Sequence, residues 1–581
     1  MTQRLTLGVL LSATTLSVTL ALAAADKVRG EVATRVDTYL TRLVPFGWSG
    51  AVLVAQNGEV VLNKGYGLAN RARTQLWTSD TVGNIGSITK QFTAAAILRL
   101  EARGRLSVRD PMAKYLPGVL ADKSAITLHH LLTHTSGLRG DLGGTDEEPI
   151  GRDELAARVL ASPLAHPPGE AFEYSNEGYS LLAAIVERVS GKPYEQFLHD
   201  ELFVPARMTK TGYLIPAYKD NELALGYRAD GSLWGLVYKR QWRPEGPGWY
   251  LTGNGGIQST TGDLYQWHLA LEGDAILPAN ERTKLFTPYV PTRGGDHYGY
   301  GWGIEETQRG TKVISHNGGN GIYSADFRRY VEEKTVIITM GNAPVIPAAF
   351  IGMNRIEPLV FNPTLVPMPP AIIPVPEAVR TPLAGDYTLA GGGKLAISVT
   401  PAGLMANSSE VKVAGVLQGF VAPGGRFADI EKKTTGLVTA SAKGDFQPVV
   451  EAFVGDRTLG QVQAGQGGAW KQWQRDLGNF TGFEIAGVTF NDGDPMVVAR
   501  LRFASGVAYA QYAWGPRRLL GFMSSTELPA ADFQPESATS YVRFDYRRPT
   551  PIRLVFTANA DHKVTATITG NGSEFQAARV K

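Results

Sequence analysis

The chain reads as an α+β protein: an antiparallel sheet flanked by helices and carrying a helical subdomain, followed by one or two all-β modules. Three observations predict this. Residues 50–55 and 59–62 are β-rich runs joined through Asn57-Gly58, a pair suited to the positive φ angles of a tight hairpin turn. Residues 110–208 are mostly helical in pattern, whereas 298–340 return to strand-like text and complete a sheet around that insertion. Beyond a proline-rich stretch, short alternating runs separated by Gly, Asn and Asp continue to the end.

With 581 residues the chain has room for two or three domains, each with its own core. Its composition is globular, with 43% hydrophobic and 19% charged residues, and a net charge of +3 gives no basis for nucleic-acid binding. Arg4, an apolar run over 5–22, and Ala21-Leu22-Ala23 ahead of Asp26 and Lys27 read as an export signal over residues 1–25, cut near Ala23 to Ala25. An uncleaved membrane anchor is the alternative, which the length barely permits. No later stretch reads as a span, so the expected location is periplasmic or secreted, with no stable membrane span after signal removal. With no cysteine, the chain can form neither a disulfide nor a lipid-bearing or nucleophilic thiol.

The main domain is expected over 26–357. Val28, Val32, Val36, Leu40 and Leu43 recur at helical spacing, an amphipathic helix to lie against a sheet. The hairpin follows, and helical runs at 128–132, 154–160, 179–189 and 194–203 build the subdomain. Residues 209–250 are irregular and include Trp234, Trp242 and Trp249, side chains that either wall a cleft or fill a core. The glycine-rich stretch 253–261 lacks the Gly-Lys-Ser/Thr ending of a phosphate cradle. Strand-like runs at 298–305, 312–316, 324–330 and 335–340 close the sheet. Eight prolines from Pro358 to Pro382 mark an extended, stiff linker over 358–382. β modules are expected over 383–476 and 477–581, or as one β domain, with strands at 395–399, 449–454, 497–503, 541–546 and 564–568. Leu383-Ala384-Gly385-Asp386-Tyr387 faintly echoes Leu477-Gly478-Asn479-Phe480.

The chemistry begins at 81–100, TVGNIGSITKQFTAAAILRL, where Ser87 and Lys90 share one face at the start of a helix. Phe92, Ala95, Ala96 and Leu100 carry the helical spacing on to Gly104. A hydroxyl is a poor nucleophile at neutral pH. An amine one turn away can take or steer its proton, and the helix N-terminus favours the developing negative charge. Ser87 therefore reads as a nucleophile, against the alternative of an ordinary helix cap. Ser409 and Lys412 repeat the spacing in strand-like text without a helix start and read as chance. Two later stretches support Ser87: Tyr174-Ser175-Asn176, opening a helical run, and His316-Asn317-Gly318-Gly319 after a strand. His130 and His134 sit four apart but lack the Glu that a zinc metalloprotease helix places beside the first His, so no metal is expected.

These motifs occur with Gly50-Ala51-Val52-Leu53-Val54, Leu131-Leu132-Thr133-His134-Thr135-Ser136-Gly137-Leu138, Gly255-Gly256-Ile257-Gln258-Ser259-Thr260 and Tyr300-Gly301-Trp302-Gly303. Together they make residues 27–345 resemble the serine β-lactamase and penicillin-binding-protein superfamily, in the branch of class C β-lactamases, D-Ala-D-Ala carboxypeptidases, D-aminopeptidases and esterases. The resemblance implies a β-lactamase/transpeptidase-like fold, with Ser87, Tyr174 and His316 around one cleft and an acyl-enzyme on Ser87. It assigns the oxyanion donors to the N–H groups of Ser87 and Gly319, beside Gly318, where glycine permits close approach. Lys90 and Tyr174 form a coupled pair in which either takes the first proton, and Asn176 holds Lys90 or a substrate amide. His316 stands where many relatives have lysine. With an ordinary pKa of about 6.5 it is largely neutral at pH 7, so a permanent cation for a substrate carboxylate is missing. The expectation is a cofactor-free serine hydrolase of peptide (D-amino-acid) or ester substrates with weak or no β-lactam hydrolysis. The alternatives are a non-turnover penicillin-binding or sensor protein, and a true β-lactamase. The partner expected is a small-molecule or peptide substrate; the oligomeric state is left open.

Overall fold

The computed structural model describes residues 26–580, except 141–143, 240–241, 293–294, 454–457, 492–493, 516–517, 527, 529 and 548–549. The expected export signal, 1–25, lies outside the described residues. Among the described residues no helix is long and apolar enough to cross a membrane.

The chain divides into two compact units. The first comprises the residues up to Thr34 with Ser49–Glu357; the second comprises Arg35–Trp48 with Pro358–Lys581. The cut at 357/358 falls at the first of the prolines, within a helical run in which Gly352–Ile356 continues into Glu357–Phe361, so the expected extended linker begins as helix. The segment 35–48 sorts instead with the second unit. There Arg35 donates to the Leu359 carbonyl at 2.9 Å, and the Phe46 ring meets Phe544 at 5.4 Å.

In the first unit the hairpin forms as its sequence requires. Gly50–Gln56 and Glu59–Tyr66 pair with Gln56 opposite Glu59, and Asn57 and Gly58 adopt φ of 52° and 80°. Thr335–Gly341 docks on the hairpin from the far end of the unit, Ile337 opposite Val54 and Met340 opposite Ala51. Ser324–Tyr330, Lys312–Gly319 and Gly303–Glu306 follow outward in an antiparallel sheet of nine strands. All seven residues of Thr335–Gly341 are buried, the signature of a strand covered on both faces.

The helix Thr261–Glu272 lies against that strand and against Gly50–Gln56. Thr89–Ala102 is buried on every side over most of its length rather than along one stripe, which marks it as the central helix of the unit. Its Phe92 ring packs edge-on against Phe203 and Trp267, both at 5.0 Å. Asn176–Ser190 starts at Ser175, whose side chain accepts from the Gly178 N–H, and stops at Gly191 with φ of 75°.

The second unit differs from the expected pair of consecutive β modules. Eight strands close a barrel, but three precede and five follow an insertion. Leu404–Ser408 pairs with Ala531–Pro535, and Gly385–Leu389 closes on Ser573–Arg579. The insertion carries helices between residues 411 and 477 and a four-stranded sheet, Phe480–Ser525. The division at 476/477 therefore marks the passage from helices to that sheet, not the edge of a module. Of the strand expected over 449–454, residues 449–452 lie in a helix, Gln447–Ala452, with proline in its first turn, and Val454 lies outside the described residues. Two adjacent valines there give β propensity without alternation, and the proline starts a helix as readily as it bars a ladder. Ser409 and Lys412 do flank a helix start, Val411–Leu417, but Glu410 caps it, both are exposed, and Ser409 Oγ accepts from the Lys394 N–H.

Candidate active site

Ser87 lies in the 3-10 turn Gly86–Ile88 that runs straight into Thr89–Ala102. The turn is held from behind. Asn84 Oδ1 accepts from the Gly86 N–H at 3.1 Å, and the Ile257 carbonyl accepts from the Ile85 N–H at 3.0 Å. Lys90 follows one turn later, fully buried, and its Nζ donates to Ser87 Oγ at 3.0 Å, Asn176 Oδ1 at 2.8 Å and the Asn254 carbonyl at 2.8 Å. Burial pulls the Lys90 amine down from 10.5 to about 7, against the opposing pull of Asp146 and Glu177. An amine so placed exists in both forms near neutrality, and its neutral form can accept the serine proton.

Tyr174 closes the other side. Its ring centroid is 4.8 Å from Lys90 Nζ. Although the residue as a whole is 36% exposed, burial of its hydroxyl pushes the phenol above its ordinary value, with a Ser87 hydrogen bond pulling the other way. The phenol thus stays protonated while the lysine can lose its proton, which separates the two members of the coupled pair. His134 packs against the Tyr174 ring, centroids 4.2 Å apart and planes tilted by 32°. It sits at φ 58°, with Nδ1 accepting from the Ser175 N–H at 3.1 Å. His130 Nδ1 accepts from the Thr127 N–H and helps cap Leu128–Leu132, so the two histidines serve backbone groups.

The strand Lys312–Gly319 brings Gly318 and Gly319 against the serine turn. A Cβ on Gly318 would lie 2.0 Å from the Ile85 carbonyl oxygen and 2.6 Å from the Ser87 nitrogen; one on Gly86, at φ 50°, would lie 2.3 Å from the Gly319 nitrogen. The amides of Ser87 and Gly319 thus share one small region, the arrangement a tetrahedral oxyanion needs. Glycine at 318 is demanded by this strand-to-turn contact, for which the sequence reading had no signal.

His316 stands beside Tyr174, ring centroids 6.5 Å apart, but spends both ring nitrogens on neighbours within the protein. Nδ1–H donates to the Asn317 carbonyl at 2.6 Å and Nε2 accepts from the Tyr298 hydroxyl at 2.9 Å. Burial, followed by the nearby Lys90, lowers its pKa to about 4, so it is neutral and internally satisfied. Like Lys90, Tyr174 and Gly318, it is not among the residues lining the cavity in front of Ser87. That cavity, about 360 Å³, is lined by Ser87, Asn176 and Gly319 from the predicted set. Asn84, Asp146, Glu147, Trp234, Trp242 and Asn320 join them. The two tryptophans fulfil the cleft-wall option for the aromatic loop. Asp146 and Glu147 had no signal beyond an acidic loop, and Asn254 acts through its carbonyl, which no motif records. The Asn254 side chain fixes that carbonyl by donating to Ser180 Oγ at 2.8 Å and the Tyr250 carbonyl at 2.7 Å.

An antiparallel sheet whose glycine-ended strand abuts a buried Ser-x-x-Lys helix is the architecture of the serine β-lactamase and penicillin-binding-protein superfamily. The Beta-lactamase family model matches residues 47–356, just over half of the chain, and the chain belongs to that family. PbpX of Bacillus subtilis (strain 168), named for penicillin binding, is 34% identical over 254 residues, which make up 44% of this chain. The match spans 62% of the length of PbpX. A further penicillin-binding protein of that strain is 29% identical over 310 residues, covering 51% of this chain and 68% of that protein. Among solved structures, the octameric penicillin-binding protein homologue from Pyrococcus abyssi aligns with a TM-score of 0.50 at 20% identity. It covers 94% of this chain and 98% of its own. The β-lactamase/D-alanine carboxypeptidase from Pseudomonas syringae aligns with a TM-score of 0.50 at 20% identity, covering 57% of this chain and 98% of its own. At that identity the likeness to both structures is one of fold.

Proposed function

We infer that the protein is a serine hydrolase that forms an acyl-enzyme through Ser87 on D-amino-acid peptides or esters, with weak or no β-lactam turnover. The observation that carries this is Lys90 Nζ, 3.0 Å from Ser87 Oγ, in surroundings that bring its pKa to about 7. Neutral Lys90 takes the Ser87 proton as Oγ attacks the carbonyl carbon. The oxyanion that forms faces the N–H groups of Ser87 and Gly319. The tetrahedral intermediate collapses as the leaving group departs with a proton supplied by Lys90 through the Tyr174 hydroxyl. Water then attacks the acyl-enzyme with the same pair as base. The names of the penicillin-binding relatives and of the carboxypeptidase support acylation by D-amino-acid compounds. Export to the periplasm or medium belongs to the same reading, on the strength of the N-terminal signal.

The test is intact-protein mass spectrometry with a fluorophosphonate and with a penicillin, followed over time beside Ser87→Ala. One adduct per chain, absent from S87A, supports the reading; labelling that survives S87A, or none at all, overturns it. Nitrocefin turnover at the rate of a dedicated β-lactamase would overturn the substrate part alone.

A further inference from the structure

We propose that His134 is the positioning residue for Tyr174, holding the phenol where it hands a proton to the departing group; the proposal rests on the Ser87 reading above. Tyr174 lies ahead of the helix Asn176–Ser190 and is 36% exposed as a whole, so neither the helix nor full burial fixes its side chain. His134 grips the chain on both sides of it. The His134 carbonyl accepts from the Glu173 N–H at 2.8 Å, and His134 Nδ1 accepts from the Ser175 N–H at 3.1 Å. The imidazole also packs against the Tyr174 ring itself, centroids 4.2 Å apart. Residues after His134 continue the grip. The Thr135 carbonyl accepts from the Gly169 N–H at 2.7 Å, and a Cβ on Gly140 would stand 2.5 Å from the Tyr174 carbonyl oxygen.

Few side chains could do this. At φ 58° the backbone of residue 134 is left-handed, a conformation that histidine, asparagine and aspartate tolerate better than bulky or branched residues. Nδ1 must accept, so the ring must be neutral with its proton on Nε2. Burial ensures this by holding the pKa well below the ordinary 6.5, and the nearby Lys90 and His316 add to it. The Nε2–H finds no acceptor among the described residues and lies among the rings of Phe172, Tyr174, Tyr179 and Tyr298, at centroid distances of 4.2 to 5.7 Å. An apolar ring would fill that box without an orphaned donor, so packing alone does not account for a histidine. The bond to Ser175 does. Its consequence reaches the chemistry through Tyr174, whose ring lies 4.8 Å from Lys90 Nζ. As the leaving oxygen parts from the carbonyl carbon, it takes the Tyr174 hydroxyl proton, and Lys90, carrying the proton taken from Ser87, restores it. A phenol free to swing would miss that oxygen.

The experiment measures kcat/KM for the p-nitrophenyl and the ethyl ester of N-acetyl-D-alanine. It uses the full chain as wild type, His134→Asn, His134→Gly, Tyr174→Phe, and Tyr174→Phe combined with His134→Asn. p-Nitrophenolate leaves without a proton, whereas ethoxide needs one. The ethyl to p-nitrophenyl quotient therefore reads proton delivery, and it does not depend on the fraction of chain that is folded. Asparagine and glycine both accept φ of 58°. Asparagine keeps, through Oδ1, an acceptor for the Ser175 N–H but loses the ring; glycine loses both. The quotient is expected to fall about ten- to a hundredfold in H134N, part of the roughly 10²- to 10⁴-fold that general acid catalysis supplies, and further in H134G. Added to Tyr174→Phe, His134→Asn should change it by no more than about twofold, because no hydroxyl is left to place. Equal losses on both esters overturn the proposal by showing that His134 supports the fold alone. An undiminished fall in the Tyr174→Phe background overturns it by showing that His134 acts through another group. A wild type that turns over neither ester overturns the hydrolase reading on D-amino-acid esters, and this proposal with it.

Discussion

At the scale of the residue, the identity of the base turns on burial. Lys90 and Tyr174 have nearly the same ordinary pKa, about 10.4 and 10, so their names cannot rank them. The fold ranks them by sealing the lysine amine, which lowers its pKa to about 7, while the same desolvation raises a phenol. Acylation should therefore rise with pH through about 7 to a plateau, measured as the rate of acylation by an ester or of phosphonylation by a fluorophosphonate. Lys90→Arg, which cannot lose its proton, should lower that rate by about 10²- to 10⁴-fold at every pH. A flat profile, or an active arginine variant, would return the role of base to Tyr174. The same shift bears on stability with a definite sign. The folded pKa lies below the ordinary 10.5, so between them the native state binds fewer protons than the unfolded chain, and stability rises with pH from about 7 upward. Ser87 and Lys90 were legible because i, i+3 spacing on a helix is local. Asn254 was not, since any residue has a carbonyl and only the fold aims this one at Lys90.

At the scale of the element, the decisive contact joins the end of Lys312–Gly319 to the serine turn. Gly318→Ala would force a Cβ to within 2.0 Å of the Ile85 oxygen, so strand or turn must move and the two amides lose their common target. Acylation should fall by about 10²- to 10³-fold, the usual effect of losing an oxyanion donor, with the far-UV circular dichroism unchanged. Near-normal acylation in this variant would mean that the pair of amides is not the oxyanion site. Helices and strands with long, regular patterns were readable: the Asn57-Gly58 hairpin and the Ser175-capped, Gly191-terminated helix fall where local chemistry puts them. Residues 449–452 were misread as strand because two valines cannot define a period; they lie in a helix that buries Val449.

At the scale of the molecule, the second unit owes its barrel to pairing between strands more than a hundred residues apart, Leu404 opposite Phe533 and Thr388 opposite Ala578. Removing residues 572–581 deletes Ser573–Arg579 and exposes the edges of Gly385–Leu389 and Val564–Gly570. Unpaired edges invite intermolecular pairing, so the truncated chain should aggregate at concentrations where the intact one remains dispersed, as read by light scattering. Equal dispersion would show that barrel closure contributes little. The sequence alone determined the serine, its lysine one turn on, the tyrosine and asparagine of the second motif, the hairpin, and an antiparallel sheet around helices. Each of these is written in neighbours a few residues apart or in a periodic pattern. The tertiary structure alone decided how deeply Lys90 and the Tyr174 hydroxyl are buried, that His316 is spent on Tyr298 and Asn317, that Asp146 and Glu147 share the cavity with Ser87, and that the barrel is interrupted by an insertion. Each of those depends on burial, or on contacts between residues far apart in the chain, quantities that no local pattern of residues carries.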